Sequence, residues 1–316
     1  MILDVEHRLN FNYSGFISES SMELRVEPTS NNHQTVRSFY IAVGPVTKVF
    51  RYINWLGAPT HHFSITDYHK EIQVISRSVV ETHPKHPDLE VILDSVEDIP
   101  TDGPILDSLM FTDLVVDSPR LREFCNGVDL STPLGGVIQQ VVDLVSHHMT
   151  YASEVTTVAT TSDEVLDQPG GVCQDFAHLS LAVLRSLGVP ARYVSGYFHV
   201  AEPTKPSESH AWIEFYSPTF GWCGYDPTHS CLPDERHVVI AHGRDYNDAA
   251  PNRGVYVGNA SESLKVEVKT TETEPTSPLD LRDDIGRIEV PVYAEFPQIT
   301  KTTKPADQMV AQQQQQ

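Results

Sequence analysis

Cys173, His210 and Asp226 are the three residues of this 316-residue chain whose types and settings suit acyl transfer through a thiol. Cys173 stands in "PGGVCQDFAHL", behind Gly-Gly-Val and ahead of an apolar run at helical spacing. A thiol in the first turn of a helix faces amide N–H groups that lack an intrahelical acceptor, and it faces the positive end of the helix dipole. Both favour the thiolate. Gly170 and Gly171 remove side chains in front of the thiol, which gives a substrate carbonyl room to approach and leaves the Cys173 amide as an oxyanion donor. Gly171 is therefore a candidate wall of a substrate cleft. A nucleophilic thiol needs a base within hydrogen-bond reach, and the base needs a third group to hold its tautomer. His210 opens one aromatic, β-branched run and Asp226 closes the next, so the two meet if the runs are antiparallel neighbours. Trp212 shares the strand face of His210 by the two-residue period, which makes it either a second cleft residue or a core aromatic. Taken singly, each residue has a plainer alternative. Cys173 could be a buried structural thiol, His210 a satisfied histidine, and Asp226 a turn residue ahead of Pro227.

The elements that must position these residues are read from periodicity. Residues 1–82 alternate apolar and polar in short runs such as "MELRV" and "EIQVIS", broken by Pro, Gly and Asn clusters, and predict an N-terminal antiparallel β domain. Residues 83–118 are rich in Pro and Asp, lack a long period and read as a linker. Leu134, Val137, Ile138, Val141, Val142 and Val145 predict a helix, with Ser131 or Thr132 as N-cap and Pro133 in the first turn. Phe176, Leu179, Val183, Leu184 and Leu187 predict a second helix after Cys173, stopped by Gly188 and Pro190. Asp175 falls in its first turn, where an acid steadies a helix start, and His178 falls in its middle. Strands over 191–200, 210–216 and 221–226 follow, the first two flanking the polar loop "AEPTKPSES". "GVYVGN" and "SLKVEVKT" supply later strands. The expected organisation is α+β, with a β domain at 1–82, a linker at 83–118, a core at 119–270 and a disordered tail at 271–316. That tail ends in five glutamines and holds one candidate edge strand, "GRIEVPVYAEF".

Composition narrows the partners. The formal net charge is -21, from 22 Lys+Arg against 43 Asp+Glu, and no basic run stands out, which argues against nucleic acid and anionic membranes. The N-terminus carries Asp4, Glu6 and Arg8 where a secretory signal needs an uninterrupted apolar stretch, and no run is long enough to cross a bilayer. Four cysteines (Cys125, Cys173, Cys223, Cys231) are too sparse for a disulfide framework and fit free thiols in a reducing compartment, so a cytoplasmic location is expected. A zinc site from Cys223, His229 and Cys231 with His210 or Cys173 fits poorly, because the two cysteines are too far apart for a close ligand pair. No metal and no cofactor is expected.

Three segments, "GGVCQDFAHL", "SHAWIEFY" and "GWCGYDPTH", resemble the Cys, His and Asp segments of the transglutaminase-like cysteine hydrolase superfamily, in the same order and at similar spacing. "LDVEHRLNFNYSGFISESSMELRVEP" is similar to the domain that precedes bacterial transglutaminase-like cores, and "HVVIAHGRDYNDAAPNRGVYVGN" to the segment that follows Asp in them, so the resemblance spans residues 1–270. It implies a papain-like core in which the helix bearing Cys173 packs on an antiparallel sheet bearing His210 and Asp226. The implied chemistry is a thioester acyl-enzyme, formed on a peptide or protein substrate and attacked by water (amide hydrolysis) or by an amine (glutamine amine transfer). Hydrolysis is the favoured reading, since no calcium loop is evident. An inactive interaction module is the third, against which the intact Cys, His and Asp set speaks. The second oxyanion donor comes in the family from a side chain upstream of the nucleophile, for which Gln168 and Tyr151 are the candidates beside the Cys173 amide. Oligomeric state is not legible.

Overall fold

The computed structural model describes residues 1–100, 102–201, 208–274, 280–286 and 288–296. The alternation of the first eighty residues builds β1 (Ile2–Ile17), β2 (Glu19–Leu24), β3 (Gln34–Gly44), β4 (Phe50–Ile53), β5 (Pro59–Ile65) and β6 (His69–Thr82). Along β1 the side chains of Leu3, Val5, His7, Leu9, Phe11 and Tyr13 are buried and the residues alternating with them turn outward, as a half-buried strand requires.

The helices follow in α1 (Pro119–Phe124), α2 (Leu134–His148), α3 (Ser162–Asp167) and α4 (Cys173–Ser186). A short parallel bridge joins β7 (Thr150–Tyr151) to β8 (Gly170–Gly171), just ahead of α4. The predicted stripe of α2 is wholly buried. Its start differs from expectation: Pro133 is the N-cap residue, and no side chain caps it. Carbonyls of the preceding segment do so instead, with the Leu134 amide donating to Asp94 O at 2.7 Å and Gly135 to Ile92 O at 3.1 Å. Residues 83–118 are thus more than a tether, and their Ile92, Ile99, Leu114 and Val115 join the core cluster of α2 and α4.

Helix α4 is buried from Gln174 through Arg185 and ends as read, with Gly188 at φ +80°. It packs on an antiparallel sheet of order β11-β10-β9-β12, built from β9 (Ala191–Phe198), β10 (Glu208–Ser217), β11 (Gly221–Tyr225) and β12 (His237–Gly243). The short α5 (Tyr246–Ala249) leads out of the sheet.

The expected core boundary at residue 270 is corrected by strand pairing. β13 (Asn252–Val257) pairs antiparallel with β2, and β14 (Glu262–Glu272) pairs with β1 from Tyr13↔Glu262 to Leu3↔Glu272. The N-terminal unit therefore consists of two four-stranded sheets, β14-β1-β6-β3 and β13-β2-β5-β4. It is bonded to the core at named points. Leu3, Val5, Val80 and Val268 share the core cluster with α4. The Gln34 side chain donates to Val239 O and accepts from Val239 N, both at 2.7 Å, where the pairing of β12 with β9 shifts register. The tail expected to be disordered from 271 includes ordered pieces: the end of β14, the helix α6 (Asp280–Ile285), and Tyr293, which makes a single antiparallel bridge to Tyr68 rather than a strand. The remainder of that expectation falls outside the described residues. No helix among the described residues is long and apolar enough to cross a membrane.

Candidate active site

Helix α4 can begin at Cys173 because Asp175 folds back on it. The Asp175 carboxylate accepts the Val172 amide at 2.8 Å and the Thr156 hydroxyl at 2.7 Å, the reciprocal half of a capping box. Burial pushes this carboxyl up, against the opposing pull of the Val172 and Thr156 bonds. A Cβ on Gly171 would lie 2.6 Å from its Oδ2, so Gly171 is required by the helix start. Gly171 is itself buried, which removes it from the expected cleft wall. Cys173 remains partly exposed at the first helical position, where its own amide has no intrahelical acceptor.

His210 sits on β10 opposite Gly196 of β9. A Cβ at 196 would lie 2.4 Å from Trp212 Cη2, so this glycine lets the indole lie across β9. Trp212 stacks on the His210 ring with centroids 5.9 Å apart and is 1% exposed. Of the two readings its sequence position allows, the structure selects the core aromatic, seated beneath the imidazole, over the cleft residue. Asp226 follows β11, whose antiparallel pairing with β10 is as expected, and a two-way backbone bridge to Cys231 fixes its position.

These placements bring the three residues together. His210 Nε2 lies 2.7 Å from Asp226 Oδ2, and the Cys173 side chain is the ring's other hydrogen-bond partner. With Nε2 held by the carboxylate, the thiol contact falls to Nδ1. Burial opposes charge on His210, yet the bonds to Asp226 and Cys173 outweigh it and push its pKa up to about 9. Asp226 is fully buried and heavily bonded. Its Oδ2 also meets His229 Nδ1 at 2.8 Å and His237 Nε2 at 3.1 Å, while Oδ1 accepts the amides of Thr228 (2.9 Å) and His229 (3.2 Å). Burial alone would raise this carboxyl; the three imidazoles hold it well below the usual carboxylate range. On its other side, His237 Nδ1 lies 3.0 Å from the Asp234 amide and 3.2 Å from Asp234 Oδ1, and against the lowering effect of burial the two carboxylates, Asp226 and Asp234, raise its pKa. Phe198 packs against all three rings, flattest on His229 at 4.6 Å.

The roles of His229 and His237 around Asp226 escaped sequence reasoning. His229, three residues past Asp226, carries a local signal; His237, on β12, carries none. Of the oxyanion candidates, Tyr151 is exposed on β7 in register with Gly171, whereas Gln168 is exposed at the end of α3. His178 is neutral and structural: its Nε2 accepts the Tyr246 amide at 3.1 Å, and burial lowers its pKa to about 3. Cys223 and Cys231 do not join a metal-capable cluster with His229 among the described residues. A cavity of about 20 Å³ lies between Cys173, His210, Tyr193 and Tyr246, room for about one water. A larger one of about 530 Å³ opens elsewhere, between Trp55, the 100–108 segment and Trp222. Of the polar loop before His210, residues 202–207 lie outside the described residues.

Residues 122–227 match the transglutaminase-like superfamily, and residues 3–81 match the bacterial transglutaminase-like N-terminal region. An uncharacterized protein of Mycobacterium leprae is 34% identical over 276 residues, covering 84% of this chain and 97% of that one. The chain belongs to the transglutaminase-like superfamily. The solved structure of a candidate cysteine protease from Cytophaga hutchinsonii superimposes with a TM-score of 0.72 over 87% of this transglutaminase-like chain and 92% of its own, at 24% identity, which establishes the shared fold. A protein-glutamine γ-glutamyltransferase of Pseudomonas aeruginosa is 32% identical over 101 residues, 28% of this chain and 15% of that protein. The transglutaminase-like assignment makes this a member of a cysteine-dependent enzyme family, with the α+β, papain-like architecture read from the sequence.

Proposed function

We propose that the protein is a cysteine-dependent amide or peptide hydrolase with Cys173 as nucleophile, His210 as general base and then acid, and Asp226 as the group that orients His210. The observation that carries this reading is the shared imidazole of His210, bonded to Cys173 on one side and to Asp226, 2.7 Å away, on the other.

The thiol proton passes to His210 Nδ1, and the thiolate attacks the scissile carbonyl carbon. The resulting oxyanion is met by the Cys173 amide, with Tyr151 or Gln168 as the proposed second donor. Collapse breaks the C–N bond, the amine leaves with the proton from Nδ1, and a thioester to Cys173 remains. Water then gives a proton to Nδ1 and attacks the thioester carbonyl, and collapse returns the thiol and releases the acid. Asp226 keeps Nε2 as the protonated nitrogen throughout. Hydrolysis is placed ahead of amine transfer because the sequence holds no calcium-loop pattern of the D-x-[DN]-x-[DN]-G kind. Amine transfer is the second reading, favoured by the partial similarity to the Pseudomonas aeruginosa transferase. The substrate is proposed to be a peptide or protein. The net charge of -21 argues against nucleic acid and anionic membrane as partners, and the four free cysteines fit the cytoplasm.

The test is digestion of a peptide library in the presence of a fluorescent alkylamine, read by mass spectrometry, with Cys173→Ala as control. New carboxyl termini that depend on Cys173 support hydrolysis. Incorporation of the amine at glutamine faster than any cleavage replaces it with the transferase reading, and an unreactive Cys173 replaces both with an interaction module.

A further inference from the structure

The Asp226 carboxylate is shared by more imidazoles than the orientation of one base requires. His210 Nε2, His229 Nδ1 and His237 Nε2 converge on the same oxygen, Oδ2, at 2.7, 2.8 and 3.1 Å. The ligand atoms of His210, Asp226 and His229 all lie within 4.8 Å of one another. Two imidazole nitrogens and a carboxylate oxygen are a donor set that Zn²⁺ and its neighbours prefer. At bond lengths of ~2.0–2.2 Å such ligands end up roughly 3 Å apart, so only small side-chain shifts separate this arrangement from a metal site.

We propose that His210, Asp226 and His229 form a binding site for a divalent transition-metal ion of the Zn²⁺ class, and that its occupancy switches off the chemistry of Cys173. The switching half rests on the hydrolase reading above; the binding half does not. Among the described residues the site opens to solvent at His229. The His229 side chain is 42% exposed, against 6% for His210 and 0% for Asp226, so an ion enters past His229 and keeps an open position toward solvent. It also has supporting groups of the kind that pre-orient metal ligands. The amides of Thr228 and His229 hold Oδ1, His237 Nε2 meets Oδ2 while its Nδ1 is held against the Asp234 amide and carboxylate, and Phe198 lies flat on His229.

Binding replaces two N–H···O bonds by metal–nitrogen bonds: a neutral imidazole moves its proton to the ring's other nitrogen and an imidazolium releases one proton to solvent, so the proton that stays is on Nδ1 in His210 and on Nε2 in His229. The ion takes the lone pairs of those nitrogens and of Oδ2, with no redox change. His210 then keeps its remaining proton on Nδ1 and can no longer alternate between accepting the thiol proton and returning it to an amine. Cys173 lies on the Nδ1 side of the ring, so sulfur is not a ligand.

The test uses the full chain with Co²⁺ as a spectroscopic probe, followed by Zn²⁺ in equilibrium dialysis. One ion per chain is expected, with the visible bands of nitrogen- and oxygen-ligated Co²⁺, no sulfur-to-cobalt charge-transfer band, and the same result in Cys173→Ala. His229→Ala, at a half-exposed position, loses affinity by more than the roughly 10–100-fold that removal of a supporting group costs; His229→Gln behaves likewise and guards against a folding defect. Zn²⁺ slows alkylation of Cys173 in the wild type and not in His229→Ala. Absence of stoichiometric binding, binding unchanged in both His229 variants, or a sulfur charge-transfer band overturns the site. Binding as described with alkylation indifferent to Zn²⁺ overturns the switch. A Cys173 that alkylates no faster than Cys223 without any metal overturns the hydrolase reading instead, and leaves the binding result standing.

Discussion

Replacing Asp226 by Asn changes one atom and should disable His210 through its tautomer. Oδ1 of Asp226 accepts two backbone amides, from Thr228 and His229, which can only donate. The asparagine oxygen must stay there, which turns its NH₂ toward the three imidazoles now served by Oδ2. His210 then has to present a bare Nε2 to that donor and carry its proton on Nδ1, the nitrogen that must accept the thiol proton. His237 can adapt in the same way, because Asp234 Oδ1, 3.2 Å from its Nδ1, can accept a proton placed there. The tautomer switch sets the size of the catalytic effect at roughly 10⁴-fold, the scale of the same change in a serine-protease triad, or about 5.4 kcal/mol of transition-state stabilisation. The assay is the rate of Cys173 alkylation by iodoacetamide, followed by peptide mass spectrometry and paired with turnover of any substrate that emerges, with a denaturation curve for stability. An Asp226→Asn variant that alkylates Cys173 within about tenfold of the wild-type rate, while still folded, refutes the assignment of the thiol contact to Nδ1.

Three further outcomes follow from contacts already described. The pKa of His210 is raised from 6.5 to about 9, so its contribution to stability is fully present below 6.5 and is lost as pH rises through about 9; urea midpoints should fall across that window in the wild type and stay flatter in His210→Ala. Gly171→Ala places a Cβ 2.6 Å from Asp175 Oδ2 and should destabilise the protein by about 1–3 kcal/mol while slowing Cys173 alkylation; an unchanged midpoint would show that Asp175 does not fix the helix start. Gln34→Ala removes both of its bonds to Val239, taking the side-chain acceptor from the buried Val239 amide while Val239 O keeps the Thr29 amide at 3.3 Å, a loss of about 1–3 kcal/mol, which equal midpoints for variant and parent would contradict.

The parts of the molecule legible in the sequence were those encoded over short distances. Phe176 to Leu187 fixed the helix behind Cys173, Gly188 and Pro190 fixed its end, and the alternation of β9 to β11 was enough to align His210 with Asp226. Asp175 was readable as a first-turn acid because a helix start uses residues within one turn. Other features depend on partners remote in the chain. The amides that begin α2 are met by Ile92 and Asp94, which no local cap residue announces, so Ser131 and Thr132 looked better suited than they are. The alternation in "SLKVEVKT" identified a strand but could not say that its partner was β1. His237 reaches Asp226 only because β12 lies beside β9, and period-two patterns specify faces, not neighbours. Trp212 shows the limit from the other side: the period placed it correctly on the face of His210, but only the close approach permitted by Gly196 reveals that this face is packed shut.

The pairing of β14 with β1 bears on the order in which the fold can be completed. Residues 3 to 13 are synthesised long before the strand they pair with, which ends at Glu272, so one edge of the first sheet stays open until the whole Cys173-bearing core has been made. That core is thus an insertion within a sandwich whose first and last strands are hydrogen-bonded to each other. A fragment ending at residue 82 would expose one full edge of β1 and one of β2 and is a candidate for aggregation, whereas the helices and sheet bearing Cys173 and His210 are produced while tethered at only one end.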